Sequence, residues 1–344
     1  MQFSPKGSSR PTKIVLAAAA VAVALGVSAC GGAQQAQQPS QPTENVKLSL
    51  DWSTYVAYHA PIVIAEEKGI FAKHGLNVAD SLSGGSKDAV LAVGTNQADV
   101  AWADLSTAAS SMLSGLPIKA VSTVQAQNAS GLTVLEGTKL DSAKDAVGLR
   151  IGSTPGGSDS TLIGAFLKRN NIAENQVTIV NLPANGKFAA LMTNKVDAIS
   201  GQVYFNVANA ASEGKKAHGK SYSEMDTDTL DHGFVASERF IKDHPEAIKK
   251  FLAAYQEALK VTIDDPAAAC ATISERAAGA LTAKACESQL QLWLPLVTKP
   301  DSSTWGTNDA QKWASTVEIL KTFGGATGAV ASEAMYTNDF LPTK

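Results

Sequence analysis

Residues 46–50 alternate apolar and polar side chains, the two-residue period of a strand with one buried face. Asp51 and Trp52 follow at its C-terminal end, then a turn-like stretch at 53–58. Pro61 stands where a helix can begin, because the first helical N–H has no intrahelical partner to lose. Residues 62–68 read as that helix and Gly69 as its stop. A turn at 71–74 and the run 75–78 lead into a second strand. Gly84-Gly85-Ser86 opens a helix that reaches about Val93 and breaks at Gly94. Residues 98–102 form a short apolar strand, 105–113 the next helix, and 118–125 another strand. The same grammar then restarts: strands at 148–152, 177–182 and 196–200, helices at 159–170 and 187–193, and a turn at 155–158. From Pro245 onward the pattern is helical, with helices expected over 247–263, 281–296 and 307–323. Alternating strands and helices predict open α/β sheets with buried strands, and the restart predicts two lobes rather than one enlarged sheet. No tandem repeat of fixed short period is visible.

The chain's opening has a different character. Lys6, Arg10 and Lys13 precede an uninterrupted run of small apolar residues from 14 to 27, with no acidic residue before it. That length suits the apolar core of a signal peptide and falls short of the roughly 20 residues needed to span a bilayer. Val27-Ser28-Ala29-Cys30-Gly31 resembles the bacterial lipobox, small residues up to a cysteine and then glycine. A signal peptide over 1–29 and lipidation of Cys30 are therefore expected; an ordinary secretory signal with an incidental cysteine is the alternative. The Gln/Pro/Ala/Ser-rich stretch that follows has no hydrophobic period, and 30–45 reads as a flexible tether.

Composition narrows the body's possible roles. Hydrophobic residues make up 44% and charged residues 18%, as in an ordinary globular protein with room for two lobes. The formal charge of −3 becomes −6 once residues 1–29, with three basic side chains and no acidic one, are removed. No Lys/Arg cluster suggests a nucleic-acid partner. No second apolar stretch is long enough to span a membrane. Cys270 and Cys286 are isolated from any CxxC or matched histidine spacing. In an exported chain such a pair reads as a disulfide rather than a metal site, with two reduced buried cysteines as the alternative.

The run Leu50-Asp51-Trp52, with 58–71 (Tyr-His-Ala-Pro-Ile-Val-Ile-Ala-Glu-Glu-Lys-Gly-Ile-Phe) and 74–78 (His-Gly-Leu-Asn-Val), resembles the first βαβ unit of ABC-importer solute-binding proteins. The branch resembled takes up nitrate, taurine, alkanesulfonates and thiamine-pyrimidine precursors, and shares its fold with thiamine-pyrimidine synthases. The similarity continues at Gly94, at 98–100, at 148–152 with Gly156, at 191–198, and in the ending 336–341. It implies a type II periplasmic-binding-protein-like fold: two α/β lobes, mixed sheets flanked by helices, and a hinge of crossing strands. Crossings near 125–130 and 231–235 would divide the chain into lobe 1 (46–126 plus 233–344) and lobe 2 (127–232). Closure of the cleft over a small-molecule ligand would present a surface to a permease and its ATPase, with the receptor a monomer held to the membrane by its lipid.

The same geometry nominates ligand-binding residues, since such sheets hold ligands beyond the carboxyl ends of their strands. Asp51 and Trp52 end the first strand; Trp52 offers a flat face for stacking, or else packs between lobes. Tyr58 and His59 precede the Pro61 helix, and a lone histidine of this kind is often a structural hydrogen-bonder. The turns containing Gly85, Ser86 and Gly156, Gly157, Ser158 each open a helix whose free amides favour polar acceptors; plain turns are the alternative, more so for the first. Trp102, Asp104, Tyr204 and Asn206 would complete the lining, with Gln125 at the crossover.

No catalytic residue, metal site or cofactor is expected, because no nucleophile elbow, His-Glu-x-x-His or paired-carboxylate signature is present. The thiamine-pyrimidine synthases of this fold consume a histidine, and His59 falls at that place. They also carry a cysteine-rich iron-binding motif for which this chain has no counterpart. With no Arg or Lys among the nominated residues and Asp51 and Asp104 present, a neutral or weakly basic planar heterocycle, such as a thiamine-pyrimidine precursor, is favoured as ligand. A taurine, sulfonate or nitrate receptor is the alternative; a sensor or adhesin lipoprotein without a transporter is a third.

Overall fold

The computed structural model of the protein describes residues 43–343. The expected signal peptide at 1–29, the lipidated Cys30 and nearly all of the 30–45 tether lie outside them. The last two residues of that stretch, Glu44 and Asn45, belong instead to the first strand, where the Glu44 N–H donates to the Gly75 carbonyl at 3.0 Å.

Ten strands are found among the described residues: β1 Glu44–Leu50, β2 Leu76–Leu82, β3 Val100–Asp104, β4 Ile118–Thr123, β5 Ser130–Leu135, β6 Arg150–Ser153, β7 Thr178–Asn181, β8 Ala198–Gln202, β9 Ala217–Ser221 and β10 His232–Ser237. They form two five-stranded mixed sheets, ordered β2-β1-β3-β10-β4 and β7-β6-β8-β5-β9. In each, three parallel strands are joined by helical connections and the fourth neighbour runs antiparallel. That antiparallel strand, β10 in the first sheet and β5 in the second, is supplied by chain arriving from the other sheet. The fold is thus α/β with two mixed sheets flanked by helices, as predicted.

Several elements differ from the sequence pattern. β5 and β9 were not anticipated: Ser-Gly-Leu-Thr-Val-Leu and Ala-His-Gly-Lys-Ser have weak apolar runs and become strands by pairing with each other and with β8. The turn expected at 71–74 is a one-turn helix, Ile70–Lys73. Three further helices, Val203–Ser212, Glu238–Asp243 and Pro266–Arg276, have no counterpart in that pattern. The long helix Pro245–Asp264 follows its pattern closely, burying Ala247, Ile248, Phe251, Leu252, Tyr255, Ala258 and Leu259 at helical spacing.

That helix supports the functional end of the first sheet. It packs on the helix Ala60–Glu67, and its Phe251 and Tyr255 meet Phe234 of β10 edge-on at 5.0 and 4.7 Å. Each such buried aromatic stabilises by roughly 1.5–3 kcal/mol relative to exposure, so the ends of β3 and β10 sit on a firm floor. Cys270 and Cys286 are joined, with Cα atoms 5.5 Å apart, which ties the helix Pro266–Arg276 to the helix Ala283–Trp293. No described helix is long and apolar enough to cross a membrane.

Candidate functional site

A cavity of about 380 Å³ lies where the strand ends of the two sheets face each other. Asp51, Trp52, Val56, Tyr58, Ser86 and His232 wall it on the side of the first sheet. Ser158, Asp159, Asn185, Lys187, Phe188, Gln202, Phe205 and Asn206 wall it on the side of the second, and Ala280 closes one edge.

Asp51 organises the first wall. It is buried, and its Oδ1 accepts from the Tyr58 hydroxyl at 3.3 Å with His59 Nε2 at 3.1 Å. Its Oδ2 accepts from the Ser86 hydroxyl at 3.2 Å and pairs with His232 Nε2 at 2.7 Å. The other ring nitrogen of His232, Nδ1, pairs with Asp231. Asp231 is held in turn by the Ala129 N–H at 2.8 Å and Gln202 Nε2 at 3.1 Å. With a carboxylate at each ring nitrogen, His232 is set up as an imidazolium. Burial works against its charge, but Asp51 and Asp231 together push its pKa well above the ordinary imidazole value. Burial likewise opposes ionisation of Asp51, yet His232, with His59, holds its carboxyl well below the usual carboxylate range. The chain Asp51–His232–Asp231 thus links the end of β1 to both crossings between the sheets.

A second buried pair lies on the facing wall. Lys187 Nζ donates to Asp159 Oδ2 at 2.7 Å, and that oxygen also accepts the Thr154 N–H at 2.9 Å. The ammonium sits 5.6 Å from the centre of the Trp52 ring, across the cavity.

Of the nominated ligand residues, Asp51, Trp52, Tyr58, Ser86, Ser158 and Asn206 line the cavity. The other eight lie behind it. His59 is fully buried beneath Asp51, its Nδ1 accepting the Val56 N–H at 3.4 Å. Trp102 is buried between Tyr58 and His232, with ring centres 6.1 and 5.7 Å away, because its position in β3 turns it to the floor. Asp104 caps the helix Leu105–Leu113, accepting the Thr107 N–H and hydroxyl at 2.7 Å each. Burial pushes its carboxyl up to about 6 against the nearby His232, with Asp231 adding to the rise. Gln125 binds Gln202 at 3.2 Å and accepts the Trp293 indole N–H at 2.8 Å. Tyr204 points away because Gln202, Phe205, Asn206 and Asn209 share the cavity-facing side of that helical stretch.

Gly85, Gly156 and Gly157 meet each other rather than the cavity. The Lys87 N–H donates to the Gly156 carbonyl at 3.1 Å, and a Cβ on Gly85 would lie 2.7 Å from that oxygen and 3.0 Å from Gly157 Cα. Close contact between the two glycine turns therefore requires glycine at 85. Gly85→Ala is expected to hold the turns apart, at about 1–3 kcal/mol of strain if they stay together. Small-angle scattering should show a larger radius of gyration than wild type, with unchanged far-UV circular dichroism.

Sequence reasoning missed Asp159, Lys187, Gln202, Phe188, Phe205 and His232. The expectation of a lining without a basic side chain is corrected by Lys187. A signal for it existed: Lys187, Ala190 and Leu191 share the buried face of the helix Ala184–Met192, and a lysine there calls for a buried partner.

The chain matches the sequence model of the family described as NMT1/THI5 like over residues 56–269. A protein of Uromyces fabae named 4-amino-5-hydroxymethyl-2-methylpyrimidine phosphate synthase is 25% identical over 237 residues, covering 65% of this chain and 68% of that one. Riboflavin-binding protein RibY of Chloroflexus aurantiacus is 25% identical over 316 residues, 88% of each chain. Among solved structures, the alkanesulfonate-binding protein SsuA of Xanthomonas axonopodis pv. citri, bound to MOPS, shares the fold with a TM-score of 0.67. That match covers 86% of this chain and 99% of the other at 14% identity. Solved structures with this fold include components of ABC import systems.

Proposed function

Because the chain belongs to the NMT1/THI5-like family, we propose that it is the extracytoplasmic solute-binding subunit of an ABC importer and captures a small planar nitrogen heterocycle. In this reading, residues 46–126 plus 233–344 and residues 127–232 are lobes that close over the ligand. The lipid on Cys30 keeps the monomeric receptor beside its permease.

The observation that carries the proposal is the cavity's chemistry. Trp52, Tyr58, Phe188 and Phe205 give it aromatic walls. Its buried charges are already paired, Lys187 with Asp159 and His232 with Asp51 and Asp231. A sulfonate or nitrate would find no uncommitted cation there and would meet a surplus of carboxylates. A neutral or weakly basic ring loses nothing to them. A thiamine-pyrimidine precursor fits this description. A second reading, riboflavin, is favoured by the relative of that name, which matches 88% of the chain, and by a cavity volume in the range that holds drug-sized ligands.

Binding rather than catalysis is supported by the place of His59, sealed under Asp51 and away from the cavity wall. Joined as they are, Cys270 and Cys286 also offer no thiolate for iron.

A thermal-shift panel tests the ligand class. 4-Amino-5-hydroxymethyl-2-methylpyrimidine or riboflavin, at about 100 times its dissociation constant, should add about 2.7 kcal/mol of stability. The melting temperature should then rise by several degrees. A rise with taurine and none with either heterocycle would overturn the proposal, and mass spectrometry of co-purified ligand provides an independent reading.

A further inference from the structure

We propose that Lys187 sets the specificity of the cleft, selecting planar rings that carry an acceptor oxygen on their edge over rings that present only amino groups there. The inference rests on the heterocycle reading of the cavity and narrows it to ring-carbonyl compounds, such as pyrimidinediones and the larger fused rings that contain one, which favours the riboflavin reading over an aminopyrimidine.

Lys187 is 5% exposed, yet among the described residues its ammonium has a single hydrogen-bond acceptor, Asp159 Oδ2 at 2.7 Å. An ammonium carries three donors, so two N–H groups of this cavity-lining side chain have no protein acceptor among the described residues. The chain makes room for it. Gly201 lies opposite, and a Cβ there would come within 3.3 Å of Nζ. On the far side the ammonium lies over the Trp52 ring, 5.6 Å from its centre.

A ring stacked on Trp52 would lie about 3.5 Å from the indole plane, close to the separation of carbon atoms in contact. Directly beneath the ammonium such a ring would be left only about 2 Å from Nζ, so it must stack offset along the indole, and Nζ then stands against its edge, within reach of a substituent. A carbonyl oxygen accepts one of the open N–H groups. An exocyclic amino group presents donors to donors and leaves both sides unpaired in a desolvated place. Asp159 neutralises the ammonium, so a carboxylate or phosphate gains little net attraction, while Asp51 and Asp231 nearby oppose it. Asn206, also on the wall with only a 3.4 Å contact to Thr133 Oγ1, is available for the neighbouring ring N–H.

The test compares a matched pair, lumazine (2,4-dioxopteridine) and 2,4-diaminopteridine, by quenching of tryptophan fluorescence in the purified protein. Wild type should bind the dioxo ring at least about tenfold more tightly. The K187M/D159N double variant removes the donors without stranding a charge, and should shrink the preference to within about threefold. Equal or tighter binding of the diamino ring by wild type overturns the role of Lys187 and leaves the heterocycle site standing. A tenfold preference retained by the double variant does the same. Failure of both pteridines, riboflavin and the aminopyrimidine to bind overturns the site itself. The wild-type ratio needs no variant, so misfolding of the double variant does not spare the proposal.

Discussion

Asp51→Asn is expected to remove about 3–5 kcal/mol of folding stability at pH 5, the usual cost of breaking a buried charge pair from one side. Asp51 receives four polar contacts from Tyr58, His59, Ser86 and His232, all inside the first sheet's wall. The asparagine keeps the volume but loses the charge facing His232 and turns an N–H toward donors already in place. The pH dependence separates this from a packing defect. A carboxyl held below its ordinary value of 3.8 contributes stability above that pH and loses it as pH falls through the lowered value. An imidazole raised above its ordinary 6.5 contributes fully below 6.5 and loses its contribution as pH rises through the raised value. Between about pH 4 and 6.5 both contributions are complete, so the deficit of the variant should be largest there and shrink at strongly alkaline pH. Urea unfolding at pH 5 and in an alkaline series measures it. A deficit below 1 kcal/mol at pH 5, or one constant across the series, would mean that the pair does not carry the wall.

The same residue shows how far the sequence reaches. Asp51 and Trp52 were legible because a two-residue alternation ends just before them, and strand ends in an α/β sheet face the ligand side. Trp102 and Asp104 were read by the same rule and lie behind the wall. Position at a strand end gives the neighbourhood, whereas the side-chain direction depends on how the next turn leaves the sheet. Ser86 and Ser158 reach the cavity while the glycines beside them are consumed by contact between the two turns, a relation no local pattern encodes. The parallel strands of each sheet show in the sequence as apolar alternation or short apolar stretches between helical segments. β5 and β9 do not, because their structure is conferred by partners brought together over long sequence distances. His232 fell in the crossing segment that was anticipated, but its role needs Asp51, 181 residues away. Lys187 is the instructive miss: a charge on an otherwise apolar helical face reads locally as a helix start, and only Asp159 makes it a member of the site.

Removing the bond between Cys270 and Cys286 is expected to cost about 3 kcal/mol, because the loop it closes between cysteines at a sequence separation of 16 is then free to expand in the unfolded chain. Both cysteines are buried, so the Cys270→Ala/Cys286→Ala variant reads the bond more cleanly than mild reductant on the folded protein. The effect should not stop at global stability. The helix Ala283–Trp293 holds the cavity's surroundings through three contacts: Gln289 Oε1 accepts the Ala57 N–H at 3.2 Å, Gln289 Nε2 donates to Asn209 at 2.8 Å, and Trp293 Nε1 donates to Gln125 at 2.8 Å. These tie the segment after β1, the helix after β8 and the first crossing to one element, and the disulfide ties that element to the helix Pro266–Arg276. Hydrogen exchange on the double variant should therefore show faster exchange over 283–297 and at Ala57, with β6, β7 and β8 changed only by the global loss. Uniform acceleration across both sheets would show that the bond acts on the unfolded chain alone. Acceleration confined to the helix and its three contacts would place the disulfide among the parts that hold the cleft in shape.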